Sequence, residues 1–169
     1  MPVGVPTNSQ PEAGRLGEHL RTLGLTIAVA ESCTGGLLGA AITAEAGSSD
    51  YFRGGVIAYS NEVKTGLLGV APDLLRQHGA VSEVVAVAMA EGVRRVCSAG
   101  IGVGITGIAG PAADGSAKPV GLMFVAVVDV AGTEVVRLEA DGDRNGNRAL
   151  AVEAAIAAVL RRGKDLPSL

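Results

Sequence analysis

A serine at the start of a predicted helix is the first residue of this sequence that could do chemistry. Ser32 lies in Glu31–Gly36 (ESCTGG), a polar turn with two glycines that follows a β-branched apolar run. Free backbone N–H groups at a helix start favour an anion, such as a phosphate, a carboxylate or a developing oxyanion. Ser32 could therefore be a nucleophile. The alternative, which the local pattern by itself favours, is that Ser32 or Thr34 only caps the helix.

A serine nucleophile needs a base, and neither histidine lies in a recognisable catalytic pattern. His19 falls in the first predicted helix and His78 at the end of a later one. Lysine can act as the base when burial lowers its pKa towards neutrality. Lys64 follows a strand end in the polar segment Tyr59–Lys64 (YSNEVK), with apolar sequence on both sides. A solvated helix lysine is the alternative interpretation.

Cys33 is the rival nucleophile, because a thiol is intrinsically more reactive than a hydroxyl. A cysteine enzyme usually has a histidine partner, and a lone cysteine is more often a small buried hydrophobe. Cys97, the only other cysteine, is not in CxxC spacing with it. The sequence therefore predicts neither a disulfide framework nor a metal site, and a reduced, cytoplasmic setting fits best.

Two further polar segments could bind a substrate. Thr106–Gly121 (TGIAGPAADGSAKPVG) is long for a loop in a compact domain, and such loops are often functional. It begins with a hydroxyl and contains the Lys118 cation. Gly142–Arg148 (GDRNGNR) precedes the last helix, and Arg144 and Arg148, one turn apart, could form a fork for phosphate. A structural loop and a solvated helix start are the respective alternatives.

Apolar runs separated by turn signals predict the elements that position these segments. The predicted helices are Pro11–Leu23, Leu37–Glu45, Asn61–Leu68, Pro72–Gln77, Val81–Cys97 and Arg144–Arg162. The predicted strands are Thr26–Ala30, Gly54–Tyr59, Ile101–Thr106, and a hairpin of Leu122–Val130 and Glu134–Glu139. Because strands and helices alternate before two strands follow in succession, we expect a single three-layer α/β/α domain with a mixed β-sheet.

This domain is expected to span residues 11–162, between a disordered leader at 1–10 and a short tail at 163–169. The leader lacks the apolar segment of a signal peptide, and no apolar stretch is long enough to span a membrane. The net charge is −3 without a basic stripe, which argues against a nucleic-acid partner. The sequence leaves the oligomeric state open, a homo-oligomer included.

Five motifs, in their order and spacing, resemble the CinA C-terminal-domain family. They are ESCTGG, YSNEVK, HGAVSE (His78–Glu83), TGIAGP with KPVG, and GDR, and the resemblance runs from about Pro11 to Arg162. The family includes nicotinamide-nucleotide amidases, which hydrolyse the amide of nicotinamide mononucleotide (NMN) to the acid and ammonia. The resemblance implies a small nucleotide substrate, no metal, no cofactor and the stand-alone form of the domain.

The resemblance implies a catalytic pair made of Ser32 and Lys64. The substrate-binding positions that it implies are Glu31, Thr34, Gly35, Tyr59, Asn61, Thr106, Gly107 and Arg144. The substrate phosphate would be bound by Arg144, Lys118 or a helix N-terminus. After TGIAGP the family usually has glycines, whereas this chain has Ala112-Ala113-Asp114. The alternatives to an NMN amidase are a nucleotide-binding module without catalysis and an amidase for a different small amide.

Overall fold

The computed structural model describes residues 11–162, so the predicted leader and tail lie outside the described residues. The α-helices of this part are α1 (Pro11–Leu23), α2 (Leu37–Thr43), α3 (Asn61–Leu68), α4 (Pro72–His78), α5 (Glu83–Val96) and α6 (Arg144–Arg162). The strands are β1 (Ile27–Glu31), β2 (Phe52–Ile57), β3 (Ile101–Gly107), β4 (Leu122–Asp129) and β5 (Gly132–Glu139). None of these helices is long and apolar enough to cross a membrane.

The five strands form one sheet in the order β2-β1-β3-β4-β5. The strands β2, β1 and β3 are parallel, and β4 pairs antiparallel with β3 and with β5. The chain leaves β1 towards β2 on one side and then crosses back over β1 to β3. Right-handed crossovers require the connecting helices of such a reversal to lie on opposite faces of the sheet. The mixed sheet predicted from the sequence is confirmed.

Alternating side chains of the sheet build a core on each face. Ile27 and Val29 of β1 pack into a cluster with α1, α2 and α6. Ala28 and Ala30, which point the other way, pack into a cluster with α3 and α5. This is the period-two pattern of a strand that is buried on both faces. The three-layer α/β/α architecture expected from the sequence is therefore confirmed.

Two glycines in β3 bring α5 unusually close to the sheet. A Cβ on Gly102 would lie 2.1 Å from the Ala90 carbonyl oxygen, and one on Gly104 would lie 2.2 Å from that of Ala86. Only glycine permits such an approach of two backbones. Close packing here ties the end of β3 to the segment before α5, where the Thr106 hydroxyl donates to the Ala80 carbonyl at 2.8 Å.

The strand boundaries differ from the sequence expectation by one or two residues. Strand β1 extends to Glu31, which pairs with Ile57 on one side and Ile105 on the other. Strand β2 begins earlier and ends earlier than expected, at Ile57. Tyr59 lies beyond this end, and its carbonyl oxygen accepts a hydrogen bond from the Lys64 Nζ at 3.2 Å. The strand therefore ends where the site begins.

Candidate active site

The candidate site lies where the carboxyl ends of three parallel strands meet. Ser32 follows β1, Tyr59 follows β2 after one residue, and Ile108 follows β3. Residues beyond the carboxyl ends of parallel strands share one edge of the sheet, which is where open α/β sheets bind ligands. Helix α3 starts at this edge, and its fourth residue, Lys64, reaches the end of β1.

Ser32 and Lys64 are in direct contact. The Lys64 Nζ lies 3.0 Å from the Ser32 Oγ, 2.8 Å from the Ala58 carbonyl oxygen and 3.2 Å from the Tyr59 carbonyl oxygen. Lys64 is 1% exposed and Ser32 is 9% exposed. The two residues that the sequence singled out 32 positions apart are thus brought together in a buried environment.

Burial lowers the pKa of Lys64 from its usual range, because the charged ammonium is disfavoured away from water. Within residues 11–162 no carboxylate forms an ion pair with Lys64 that would restore its charge. A neutral amine has two N–H groups and one lone pair. The carbonyl oxygens of Ala58 and Tyr59 can accept both N–H groups, which leaves the lone pair for the hydroxyl proton of Ser32.

Cys33 lacks the properties of a nucleophilic thiol, although it lines the same cavity. It is 6% exposed, and burial raises the pKa of its thiol to about 11. The nearby charge of Arg148 lowers this pKa only in part. At neutral pH the residue is therefore a thiol, and the thiolate is the reactive form. The geometry favours the hydroxyl of Ser32 over the thiol of its neighbour.

Glu31 holds the first turn of α2 from inside the protein. Its buried carboxylate accepts hydrogen bonds from the N–H groups of Gly36 at 3.1 Å, Leu38 at 3.1 Å and Gly39 at 2.8 Å. The N-cap residue is Gly36, and no side chain caps the helix at that position. The alternative that Ser32 or Thr34 only caps this helix is therefore wrong. The same bonds occupy the helix N-terminus, which removes it as a phosphate site.

Replacing Glu31 is expected to destabilise the fold. Glu31→Gln removes the charge and places an amide N–H group among three backbone donors, so buried N–H groups lose their acceptor. We expect a loss of about 2–4 kcal/mol in the free energy of unfolding, measured by urea denaturation. Glu153→Gln on the exposed face of α6 is the control and should change stability by less than about 0.5 kcal/mol. An equal effect of the two substitutions would contradict this role of Glu31.

Arg148 supports the turn that presents Ser32. Its guanidinium donates to the Cys33 carbonyl oxygen at 3.1 Å and to the Thr34 carbonyl oxygen at 2.9 Å. The Ser32 N–H donates to the Ile105 carbonyl oxygen at 3.0 Å and so cannot bind an oxyanion. Within residues 11–162 the N–H groups of Cys33 and Thr34 donate to no backbone carbonyl. Of these two residues, Cys33 lines the cavity and Thr34 does not, so the Cys33 N–H is the group of the turn that an oxyanion can use.

A cavity of about 250 Å³ opens onto the Ser–Lys pair. The predicted site residues that line it are Ser32, Lys64, Tyr59, Thr106, Gly107 and Arg144. The predicted site residues that do not line it are Glu31, Thr34, Gly35 and Asn61. Glu31 ends β1 and holds the first turn of α2, and Asn61 is an exposed residue at the start of α3. A more open depression of about 670 Å³ lies at the opposite edge of the sheet, near Arg94 and Asp129, and is remote from Ser32.

The first turn of α6 links the loops around the cavity. Arg144 donates to the Gly110 carbonyl oxygen at 2.5 Å and to the Tyr59 hydroxyl at 3.1 Å. The buried Asn147 donates to the Ala109 carbonyl oxygen at 3.1 Å. Sequence reasoning missed Asn147, although its spacing places it on the same helix face as Arg144. The expected fork of two arginines is not formed at the cavity, because Arg148 supports the Ser32 turn.

Lys118 is committed to the backbone of a neighbouring loop. Its Nζ donates to the carbonyl oxygens of His78 and Val81, both at 2.5 Å. His78 is the last residue of α4, and a cation is favourable at a helix C-terminus. Lys118 does not line the cavity. Of the three phosphate ligands considered from the sequence, Arg144 is the one that faces the cavity.

Fold and geometry together define the class: an α/β domain with a buried Ser–Lys pair in a cavity at the carboxyl ends of its parallel strands. The model of the CinA C-terminal domain family matches residues 9–162. The chain belongs to this family, and the family resemblance inferred from the five sequence motifs is confirmed.

Relatives agree in sequence and in fold. The chain is 51% identical over 138 residues to a CinA-like protein of Koribacter versatilis, which covers 82% of this chain and 33% of that protein. It is 51% identical over 141 residues to a putative competence-damage inducible protein of Halothermothrix orenii, covering 83% of this chain and 34% of that protein. The chain thus spans about a third of the length of the curated relatives that it matches.

Solved structures superpose over nearly the whole chain. A competence-damaged protein (CinA) superfamily protein from Klebsiella pneumoniae has a TM-score of 0.91 at 32% identity, covering 94% of this chain and 99% of that one. The competence/damage inducible protein CihA from Agrobacterium tumefaciens has a TM-score of 0.83 at 35% identity, covering 90% and 96%. The single α/β domain described here is therefore the fold of solved family members.

Proposed function

We propose that the chain is an amidohydrolase that converts NMN to nicotinate mononucleotide and ammonia through an acyl-enzyme on Ser32. The observation on which this proposal depends most is the 3.0 Å contact between the Lys64 Nζ and the Ser32 Oγ, in a buried setting where no carboxylate of residues 11–162 pairs with Lys64. That arrangement suits a neutral lysine that acts as a base. The substrate itself comes from the family resemblance, which implies hydrolysis of the amide of a nicotinamide nucleotide.

The first half of the reaction forms an ester. Neutral Lys64 takes the proton of the Ser32 hydroxyl as the Oγ attacks the carboxamide carbon. The resulting oxyanion is bound by the N–H group of Cys33, and such a donor typically contributes about 3–4 kcal/mol to barrier reduction. Lys64 then gives its proton to the departing nitrogen, the C–N bond breaks and ammonia leaves.

The second half returns the enzyme to its starting state. A water molecule donates its proton to Lys64 and attacks the ester carbon. Collapse of the second oxyanion breaks the bond to the Ser32 Oγ, which recovers the proton from Lys64. The carboxylic acid product releases its proton, which the free ammonia takes up, so the net reaction consumes one amide and one water and yields one carboxylate and one ammonium. Lys64 thus acts as base and acid in turn, and no residue changes its net protonation.

The phosphate of NMN is assigned to Arg144 in this proposal. Arg144 lines the cavity that contains Ser32, and guanidinium is well suited to bind phosphate. Of the other candidates, Lys118 does not line the cavity, and the N-terminus of α2, one of the helix N-termini considered, is occupied by the Glu31 carboxylate. Tyr59 is 61% exposed, and its hydroxyl accepts a hydrogen bond from Arg144, so its ring forms a wall on which the nicotinamide ring can lie.

Arg144→Ala is expected to raise KM for NMN by roughly 10- to 100-fold, which corresponds to the loss of a hydrogen bond to a charged group worth about 1.5–3 kcal/mol. Hydrolysis of nicotinamide riboside, which lacks the phosphate, should be affected much less. Arg144→Lys keeps the charge but lacks the two-pronged guanidinium, so its KM for NMN should lie between that of the unmodified protein and that of Arg144→Ala. Steady-state kinetics on both substrates provide the measurement. An equal loss on both would show that Arg144 holds the Tyr59 and Gly110 contacts rather than phosphate.

The proposed activity is tested by ammonia release together with chromatographic detection of nicotinate mononucleotide. The substrate panel contains NMN, nicotinamide riboside, nicotinamide and unrelated small amides, and Ser32→Ala protein is the negative control. Release from NMN in preference to the others supports the proposal. Preference for another amide favours a different amidase. Binding of NMN without release of ammonia from any amide favours a nucleotide-binding module. Activity is expected to survive prolonged treatment with a chelator.

A further inference from the structure

The loop over the cavity presents one carboxylate, that of Asp114. Asp114 lines the same cavity as Ser32 and Arg144. Among the described residues that line this cavity, Asp114 is the only acidic one, and its basic counterparts are Lys64 and Arg144. The cavity therefore offers one carboxylate and one guanidinium beside the Ser–Lys pair.

The Asp114 carboxylate is held in place by its own loop. Its Oδ1 accepts hydrogen bonds from the Ser116 N–H at 3.0 Å and from the Ser116 Oγ at 2.5 Å. These bonds, the one from the Ser116 hydroxyl first, lower the pKa of Asp114, so the group is ionised at neutral pH. Lys118 is the other charge near it, but its ammonium is bonded to the carbonyl oxygens of His78 and Val81. Both hydrogen bonds from Ser116 end on Oδ1, and neither uses the Oδ2 of Asp114.

We propose that Asp114 recognises the positive charge of the substrate's pyridinium ring and so selects amides of cationic rings over neutral ones. The inference rests on the proposed function. The ring nitrogen of NMN is bonded to the ribose and carries a permanent positive charge, and the phosphate carries the negative one. The cavity matches these two charges with Asp114 and Arg144.

The chemistry favours the ring over the ribose hydroxyls as the partner of Asp114. A clasp on two neighbouring hydroxyls needs both carboxylate oxygens, and Oδ1 is already taken by Ser116. Attraction between charges needs no such alignment and acts over about 8 Å at physiological ionic strength. A permanent cation also cannot shed its charge on entering a cavity, so it needs a counter-charge there. The face of Tyr59 adds to this attraction.

The test compares NMN with its reduced dihydropyridine form, which has the same amide, ribose and phosphate but a neutral ring. Asp114→Asn keeps an oxygen acceptor for Ser116 and removes the charge. Dissociation constants are measured by calorimetry in the Ser32→Ala background, so that no turnover occurs. We expect Asp114→Asn to weaken NMN binding by about 3- to 10-fold at low salt and less at high salt, because the group is exposed and screened. Binding of the reduced form should stay unchanged.

Ser116→Ala is the matched control, because it loosens the loop and leaves the charge. It should keep the preference for the oxidised form. Equal weakening of both forms by Asp114→Asn, or no weakening of either, would overturn the inference while ammonia release from NMN by the unmodified protein still supported the proposed function. No binding of either form in the Ser32→Ala background and no ammonia release from NMN by the unmodified protein would overturn both.

Discussion

Ser32→Ala is expected to reduce NMN hydrolysis by several orders of magnitude while the fold and NMN binding persist. The proposed mechanism has no route to the ester without the Oγ, and removing a nucleophile of a catalytic dyad or triad has effects of this size. The substitution removes one oxygen from a residue whose N–H still donates to the Ile105 carbonyl, so the turn should keep its shape. Ammonia release, circular dichroism and calorimetric binding of NMN together provide the measurement.

Cys33→Ala is the control for this experiment, because it changes the adjacent residue of the same turn. The buried thiol has a pKa raised to about 11, so its loss should leave most of the activity and cost some stability. A folded Ser32→Ala protein with activity like that of the unmodified chain would remove Ser32 from the mechanism. An inactive Cys33→Ala protein beside an active Ser32→Ala protein would assign the nucleophile to the thiol.

Polar residues directly after apolar runs were the part of the site that the sequence could predict. Ser32 and Lys64 each follow a predicted strand, and parallel strands place their carboxyl ends at one edge of the sheet. The three-layer fold follows from the alternation of strands and helices, and strand boundaries were off by only one or two residues. What remained open at that stage was which strands were neighbours, and this decides whether the two side chains can touch.

Residues that act through backbone groups were much harder to predict. The motif assigns Glu31 to substrate binding, yet its carboxylate accepts hydrogen bonds from three backbone N–H groups at the start of α2. Arg148 and Lys118 read as cations free for phosphate, but both donate to carbonyl oxygens distant in sequence. A sequence shows the charge of a side chain. It does not show which unpaired N–H and C=O groups the fold leaves near that charge, and those groups decide its role.

Lys64 is expected to give the enzyme an activity that rises with pH. The general base must be neutral, and burial lowers the pKa of Lys64 from its ordinary value of 10.5. Activity should therefore be low where Lys64 is protonated and increase as the pH rises through the depressed pKa. The profile of kcat/KM against pH reports this pKa in the free enzyme. A profile that falls through the same range would mean that the ammonium, not the amine, is the active form.

Lys64→Arg and Lys64→Met separate a base from a cationic clamp. A guanidinium keeps the charge but stays protonated, so Lys64→Arg should be as inactive as Lys64→Met if Lys64 is the base. Substantial kcat in Lys64→Arg, with a change mainly in KM, would make Lys64 a clamp for the substrate. Arginine is larger than the buried lysine, so Lys64→Arg could lose activity by disturbing the fold. Methionine is close to lysine in volume, so an inactive but folded Lys64→Met protein would show that the loss of activity comes from the loss of the amine.

Stability provides a second, independent reading of the same pKa. The folded protein releases the Lys64 proton at a lower pH than the unfolded chain does, so between the two pKa values the unfolded state binds more protons. The stability of the unmodified protein relative to Lys64→Met should therefore rise with pH in that window, by up to about 1.4 kcal/mol per pH unit. This stability difference should be constant above the pKa of Lys64 in the unfolded chain, near 10.5, and should be smallest below its pKa in the folded protein. Urea denaturation of both proteins at a series of pH values locates this window. The lower end of the window is the pKa of Lys64 in the folded protein, and it must coincide with the pKa from the kinetic profile. Two different values would mean that the group that controls catalysis is not Lys64.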